Sequence, residues 1–447
     1  MQARGEWSSK IGFILAASGS AIGLGNIWRF PYITGKNGGA AFVLVYLILV
    51  VLIGLPYMLG ELALGRVAQR NPVGAIESIR PRSPWKGVGY LGVLTGLGIL
   101  SFYGVIAGWT VGYIFKMLSG HAGNFAAFIS DPVQVIGLLA FFIFITAAIV
   151  HGGVSGGIER WSKILMPMLF VLMLGLIIYA NTLPGSAEGL KFYLMPDFSK
   201  INGNVVLAAL GQAFFSLSLG MGLMITYGSY VSKEDDLFSS AGYIVFFDSL
   251  IALMAGLIIF PALFANHQSP EAGAKLVFEV FPKLFTTMPA GAFVGALFFL
   301  LLSVAALTST ISLLEVPVAF MVDEKKIPRK KVVWLVAFVA FLLGIPSALS
   351  QGANQYLTHF GWIPKRLSDP DFLSQMSFVF GDFSLALGAL LLSIFIGWVW
   401  GAKKAAAEIR QGSKTFGVVF SLWVFMMRYF IPLVIFVILL NLFGFFG

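Results

Sequence analysis

The chain has 447 residues, 58% of them hydrophobic and only 11% charged, with a mean hydropathy of +0.90. Soluble domains carry about 25% charged and 45–50% apolar residues, so a soluble enzyme, a disordered chain and a nucleic-acid-binding protein are excluded. The net charge of +9 is spread without a dense basic patch, and the lack of cysteine excludes disulfide frameworks, zinc–thiolate sites and thiol chemistry. The 43 Phe and 51 Gly suit helices packed closely in lipid.

In chain order, the apolar run after Trp7 continues into a full-length span rather than a short cleavable signal core. Crossing the hydrocarbon takes about 20 apolar residues. That length predicts eleven spans, near 11–35, 40–66, 87–118, 132–150, 158–181, 205–231, 238–266, 292–321, 331–348, 377–401 and 416–445. The stretch 268–290 is too polar to span and is expected to be a helical loop. Lys and Arg concentrate in alternate connections: Arg66 to Lys86, Arg160 and Lys163, Lys325 to Lys331, and Lys403 to Lys414. Inner loops carry that excess, so the N-terminus is expected in the cytoplasm and the C-terminus outside. No soluble domain or linker interrupts 1–447, which reads as a single membrane transport domain.

Two spans are interrupted by small residues where a lipid-facing helix would be Leu, Ile and Phe. The first contains Gly19-Ser20-Ala21-Ile22-Gly23-Leu24-Gly25-Asn26, and the sixth contains Ser216-Leu217-Ser218-Leu219-Gly220-Met221-Gly222. Either alone fits close helix contact. Together they occupy the first helix of each of two five-span halves, the mark of an inverted-repeat transporter with discontinuous helices at the bilayer midplane. Broken helices leave N–H and C=O groups that are tolerable only where they line a cavity or hold a ligand. Facing half-helix N-termini suit a carboxylate and free carbonyls suit a cation, so the pair makes a site for a zwitterion and Na⁺.

The strings at these positions resemble the bacterial amino-acid branch of the neurotransmitter:sodium symporter family. They are Gly23-Leu24-Gly25-Asn26-Ile27-Trp28-Arg29-Phe30-Pro31, Asn37-Gly38-Gly39-Ala40-Ala41-Phe42, Gly60-Glu61 with Gly65-Arg66, and Gly157-Ile158-Glu159-Arg160. Gln212 to Gly220, Leu307-Thr308-Ser309 and Met427-Arg428-Tyr429 continue the match. The resemblance implies an all-α integral membrane protein of 11 helices with a leucine-transporter-like fold. Its repeats would cover about 11–181 and about 205–401, with broken helices 1 and 6 and an extra helix about 416–445. It also implies a multi-pass protein of a bacterial cytoplasmic membrane that imports neutral, mostly hydrophobic L-amino acids with Na⁺, and no enzyme. A non-transporting amino-acid sensor on the same fold is the alternative.

By the same resemblance, sodium site one takes the carbonyl of Ala21, the side-chain oxygen of Asn26, Ser216 and Asp248, completed by the substrate carboxylate. Site two takes the carbonyls of Gly19, Ile22 and Ala305 and the hydroxyls of Thr308 and Ser309. Two Na⁺ ions are expected. Asp248 is an intramembrane carboxylate and a functional candidate by default. Chloride-dependent relatives carry a neutral Asn there and a Ser where this chain has Ala252, while Tyr46, Gln212 and Ser216 are retained. No chloride requirement is expected.

The substrate pocket implied is Ser20, Ala21, Gly23, Leu24, Gly25, Ile99, Tyr103, Phe215, Ser216, Ser218, Met221, Ser309 and Leu313. Carriers of decarboxylated amines hold an Asp at the place of Gly23, so Gly23 points to a substrate that brings its own carboxylate. Inner-gate candidates are Arg4, Trp7, Ser229, Tyr230 and Asp323, with Arg4 and Asp323 paired. Glu61 is expected to bind free N–H groups of the sixth helix, and Gly157 with Pro167 to weaken the fifth. The outer gate keeps Arg29, but the family's Asp aligns with Ser377. Asp371 and a water are the partners the sequence offers.

Overall fold

The structure, a computed structural model, describes residues 5–120, 123–268, 276–413 and 415–445. The described residues are almost wholly helical and contain no strand. Nine of their helices are long and apolar enough to cross a membrane, and the bent pair Lys10–Ala21 and Gly25–Lys36 makes ten. A further pair, Gly203–Ser216 and Leu223–Gly228, stands in the sixth place in chain order, consistent with eleven crossings.

The first span starts where the Ser9 hydroxyl accepts from the Gly12 amide, an N-cap that satisfies an otherwise orphaned donor. Its halves meet at 53° across Ile22 to Leu24. The sixth span opens between Ser216 and Leu223, where Ser218, Gly220 and Gly222 all have positive φ (53°, 86° and 74°). A continuous helix cannot pass through three left-handed residues. Two glycines make the conformation cheap, and Ser218 carries the strained position.

Long unbroken helices hold the two breaks face to face. The third span, Lys86–Leu118, packs along the eighth, Gly291–Lys325, and the seventh, Leu237–Ala265, lies against the first. The loop expected over 268–290 is helical where it is described, through Leu276–Val280 and Phe281–Thr287.

Two spans differ from the expected bounds. The fifth begins four residues early, with a π-helical stretch Val154–Glu159 entered through Gly153 at φ 83°. The tenth begins at Phe372 rather than Ser377, because the Asp371 carboxylate accepts from the Ser374 amide and caps a new first turn. A π-helical stretch, Ser377–Phe383, follows at once and turns that span's face toward the bundle.

Candidate functional site

Unwinding of the first span puts Leu24 N–H in reach of the Tyr103 hydroxyl oxygen on the third, at 2.9 Å. Gly23 lies between Tyr103 and Ser309. A Cβ there would come within 2.9 Å of Tyr103 Oη and 2.6 Å of Ser309 Oγ, so no side chain fits without displacement. From the sixth span, Ser218 Oγ donates to Ser20 O at 3.2 Å, tying one break to the other.

Beside these groups is a small pocket of about 60 Å³. Ser20, Ala21, Gly23, Gly25, Ile99, Tyr103, Phe215, Ser216, Ser218, Met221, Ser309 and Leu313 all line it, so twelve of the thirteen expected residues come together. Leu24 instead lines the larger cavity beyond Phe215. Phe102, Leu223 and Gly381 complete the wall, and none was expected from the sequence. Gly381 arrives through the wide turn at Ser377–Phe383, which has no sequence signature as strong as a Gly/Ser break. No charged side chain is among the lining residues.

Asp248 is fully buried in the seventh span and belongs to one polar cluster. Its carboxylate accepts from Asn26 Nδ2 at 2.7 Å and Ser216 Oγ at 3.0 Å, with Tyr46 Oη at 3.4 Å. Tyr46 and Ser216 hydroxyls are 2.9 Å apart. Gln212 Nε2 donates to Gly25 O at 3.1 Å. Ala252, also buried, offers no oxygen in its side chain. Asn26, Ser216 and Asp248 are therefore within one hydrogen-bonded group, and Ala21 lines the same pocket as Ser216.

The eighth span meets the first break at a second set of oxygens. Thr308 Oγ1 lies 3.3 Å from Ile22 O and 2.9 Å from Ala305 O. Ser309 Oγ lies 3.1 Å from Ile22 O and 3.4 Å from Ala305 O. Gly19 packs against Thr308, where a Cβ would make a tight contact at 3.2 Å. Neutral carbonyls and hydroxyls from two helices are the donor set a hard cation prefers, so this chemistry fits Na⁺. Glu61, buried on the second span, accepts from the Gly220 amide at 3.0 Å and so satisfies an N–H freed by the sixth-span break.

Above Phe215 the structure opens into a cavity of about 690 Å³ lined by Trp28, Arg29, Trp109, Phe278 and Asp382 among others. Arg29 stacks over the Phe215 ring at 4.2 Å from its centre. Its carboxylate partner is Asp382 at 3.8 Å, neither Asp371 nor a residue at the Ser377 position. Asp371 is engaged elsewhere, capping its helix and accepting from Gln351 Nε2 at 2.6 Å. The π-helical turn carries the acidic residue five places further along than the sequence register suggested.

The opposite face is closed. Trp7 Nε1 donates to Tyr227 O at 3.1 Å, and the Trp7 amide to Tyr230 O at 3.3 Å. Tyr230 Oη donates to Glu315 at 2.7 Å, and Glu315 is held by Arg329 at 2.5 Å. Glu159 accepts from the Ser8 amide and hydroxyl at 2.7 and 2.6 Å, pinning the start of the first span to the fifth. Sequence reasoning did not assign Glu315, Arg329 or Glu159 to this closure. Asp323 accepts from the Asn71 amide at 2.9 Å. Arg4, its expected partner, lies outside the described residues.

Residues 4–124 and 120–445 match the Sodium:neurotransmitter symporter family. A Bacillus subtilis (strain 168) protein named "Uncharacterized sodium-dependent transporter YhdH" is 40% identical over 98% of this chain and 98% of its own. The human "Sodium- and chloride-dependent GABA transporter 2" is 26% identical over 95% of this chain and 78% of its own. Among solved structures, MhsT in complex with L-phenylalanine superposes with a TM-score of 0.88 at 45% identity, covering 98% of this chain and all of that one.

Proposed function

The chain belongs to the sodium:neurotransmitter symporter family, a sodium-dependent multi-pass transporter of leucine-transporter-like fold, and from that premise we propose that it imports neutral, mostly hydrophobic L-amino acids. The observation that carries the substrate class is the pocket wall: apolar side chains and small hydroxyls, no charge, and no room beside Gly23 for a protein carboxylate. A charged substrate side chain would be buried there unpaired, at high cost. The substrate's own carboxylate reaches the Tyr103 hydroxyl and the first-span N–H groups, and its carbon skeleton faces Ile99, Met221 and Leu313. The phenylalanine held by the structurally similar MhsT is of this class.

Two Na⁺ ions accompany the substrate, one at Ala21, Asn26, Ser216 and Asp248, the other at Gly19, Ile22, Ala305, Thr308 and Ser309. Asp248 serves as the fixed anion, which makes transport independent of chloride. The site lies between the open cavity at Arg29 and the closed face at Trp7, and alternate opening of these two faces moves the cargo. The positive loops put the Trp7 face in the cytoplasm.

Uptake into proteoliposomes under an inward Na⁺ gradient tests this function. Leucine, phenylalanine and tryptophan should compete better than lysine, glutamate or a monoamine, and replacing chloride with gluconate should leave the rate unchanged. Asp248→Asn should lose Na⁺ affinity, and adding Ala252→Ser should restore activity only with chloride. Stronger competition by a monoamine would reject the substrate class, and loss of wild-type uptake in gluconate would reject the role of Asp248.

A further inference from the structure

Met427-Arg428-Tyr429 takes no part in the transport site. The string lies in the eleventh span, Phe416–Leu442, whose apolar window is only 28% buried, less than that of any other single-helix span among the described residues. Leu422, Phe425, Tyr429 and Leu433 are exposed around Arg428, so this face meets lipid. An ionisable group on such a face is costly and calls for a partner. Among the described residues Arg428 has no carboxylate within ion-pair distance, whereas Arg29, Arg66 and Arg329 each have one. Its Nε is buried and lacks a hydrogen-bond acceptor.

Two aromatic rings frame the guanidinium. Its carbon lies 4.3 Å from the Trp398 ring centre and 5.5 Å from that of Tyr429, and both rings are half exposed. Trp398 Nε1 donates to Arg428 O at 2.9 Å, fixing the tenth span to the eleventh at this level. Both helices widen into π-helical turns here, Phe395–Gly401 and Met426–Phe430.

Depth follows from helix contacts. Arg428 Cα lies 3.2 Å from where a Cβ on Gly397 would be, and neighbouring Ile396 lies 3.2 Å from the same point on Gly60. Arg66 is six residues beyond Gly60 on the same helix, about 9 Å at 1.5 Å per residue. It sits in a polar layer, bonded to Glu408 and to the carbonyls of Asp235 and Gln411. Arg428 thus lies about 9 Å from this polar layer, and a long cation flanked by Trp and Tyr is suited to extend toward phosphate on that side.

We propose that Arg428, Trp398 and Tyr429 form a binding site for the phosphate of an anionic phospholipid, in the lipid-facing groove between the tenth and eleventh spans. The guanidinium supplies forked donors suited to phosphate oxygens, the indole and phenol rings flank it, and the acyl chains run away from the polar layer along the exposed Leu433 and Phe436. An anionic lipid is favoured over a zwitterionic one because the site brings a cation that nothing in its described surroundings neutralises.

The test uses the full chain in nanodiscs of phosphatidylcholine with phosphatidylglycerol, reading the lipids retained on gentle extraction by native mass spectrometry. The wild type should retain phosphatidylglycerol over phosphatidylcholine by about fivefold, the factor one basic side chain supplies near an anionic surface. Arg428→Gln should remove that preference, and Arg428→Lys should keep most of it. Photoactivatable phosphatidylglycerol on the wild type, which does not depend on any variant folding, should attach to residues around Trp398 and Arg428. Equal retention of the two lipids by the wild type, unchanged preference in Arg428→Gln, adducts confined to other helices, or burial of this face in a dimer that excludes lipid would each overturn the proposal.

Discussion

Gly23 shows how one missing methyl group sets the chemistry of a site. Ser309 and Tyr103 approach it from two helices, so a Cβ would stand 2.6 Å from one oxygen and 2.9 Å from the other. Gly23→Ala should weaken substrate binding by roughly 5- to 150-fold, the equivalent of the usual 1–3 kcal/mol cost of overpacking, with folding retained. Equilibrium binding of labelled leucine measures it, and unchanged affinity would mean the substrate sits elsewhere. Thr308 and Ser309 show the reverse case, where what matters is an oxygen that is present. Each hydroxyl lies against Ile22 O, at 3.3 and 3.1 Å. A desolvated Na⁺ has no substitute for a lost ligand, so Thr308→Ala with Ser309→Ala should abolish Na⁺-coupled uptake. A double variant with wild-type Na⁺ dependence would place the second ion at other residues.

Elements were legible where their signal was local. The Gly/Ser runs of the first and sixth spans predict breaks, and the structure bends the one by 53° and gives the other three positive φ angles. The pocket residues came instead from the family resemblance, and twelve of those thirteen line one cavity. The tenth span was misjudged because its start depends on a cap at Asp371 and its register on a π-helical turn. A one-residue insertion in a helix turns every later side chain by about 100°, and apolar composition hardly changes. Hence Asp382 was missed as the Arg29 partner, and Gly381 as part of the pocket wall. Glu315 and Arg329 were missed for another reason, since they join only through the packing of the eighth and ninth spans. The sixth-span break itself is testable as an element. Gly220 has φ 86° and its Cβ would meet Leu385 O at 2.6 Å, so Gly220→Ala should lower stability by about 1–3 kcal/mol. A lower Tm in detergent is the readout, and an unchanged one would mean the break tolerates an ordinary backbone.

Over the whole molecule, the structure is open at one face and shut at the other, with the proposed ion and substrate sites between. The proposed second Na⁺ would join Ile22 of the first span to Thr308 and Ser309 of the eighth, so it should hold the inner half, Lys10–Ala21, against its neighbours. Ion binding and closure of the Trp7 face are then linked, and each must stabilise the other by the same free energy. Absence of native cysteine makes this measurable with single introduced thiols. Ser374 lines the open cavity, and Ser229 is buried beside the Trp7 closure. In Na⁺, Ser374→Cys should react readily with a polar thiol reagent and Ser229→Cys slowly. Exchange of Na⁺ for K⁺ should speed Ser229→Cys and slow Ser374→Cys by roughly 5- to 150-fold, the range of ordinary coupling energies. Thr308→Ala with Ser309→Ala should flatten both responses, because the helices no longer share an ion. Labelling rates that ignore Na⁺ in the wild type would sever the link between the second site and the closed face, leaving coupling to the first site alone.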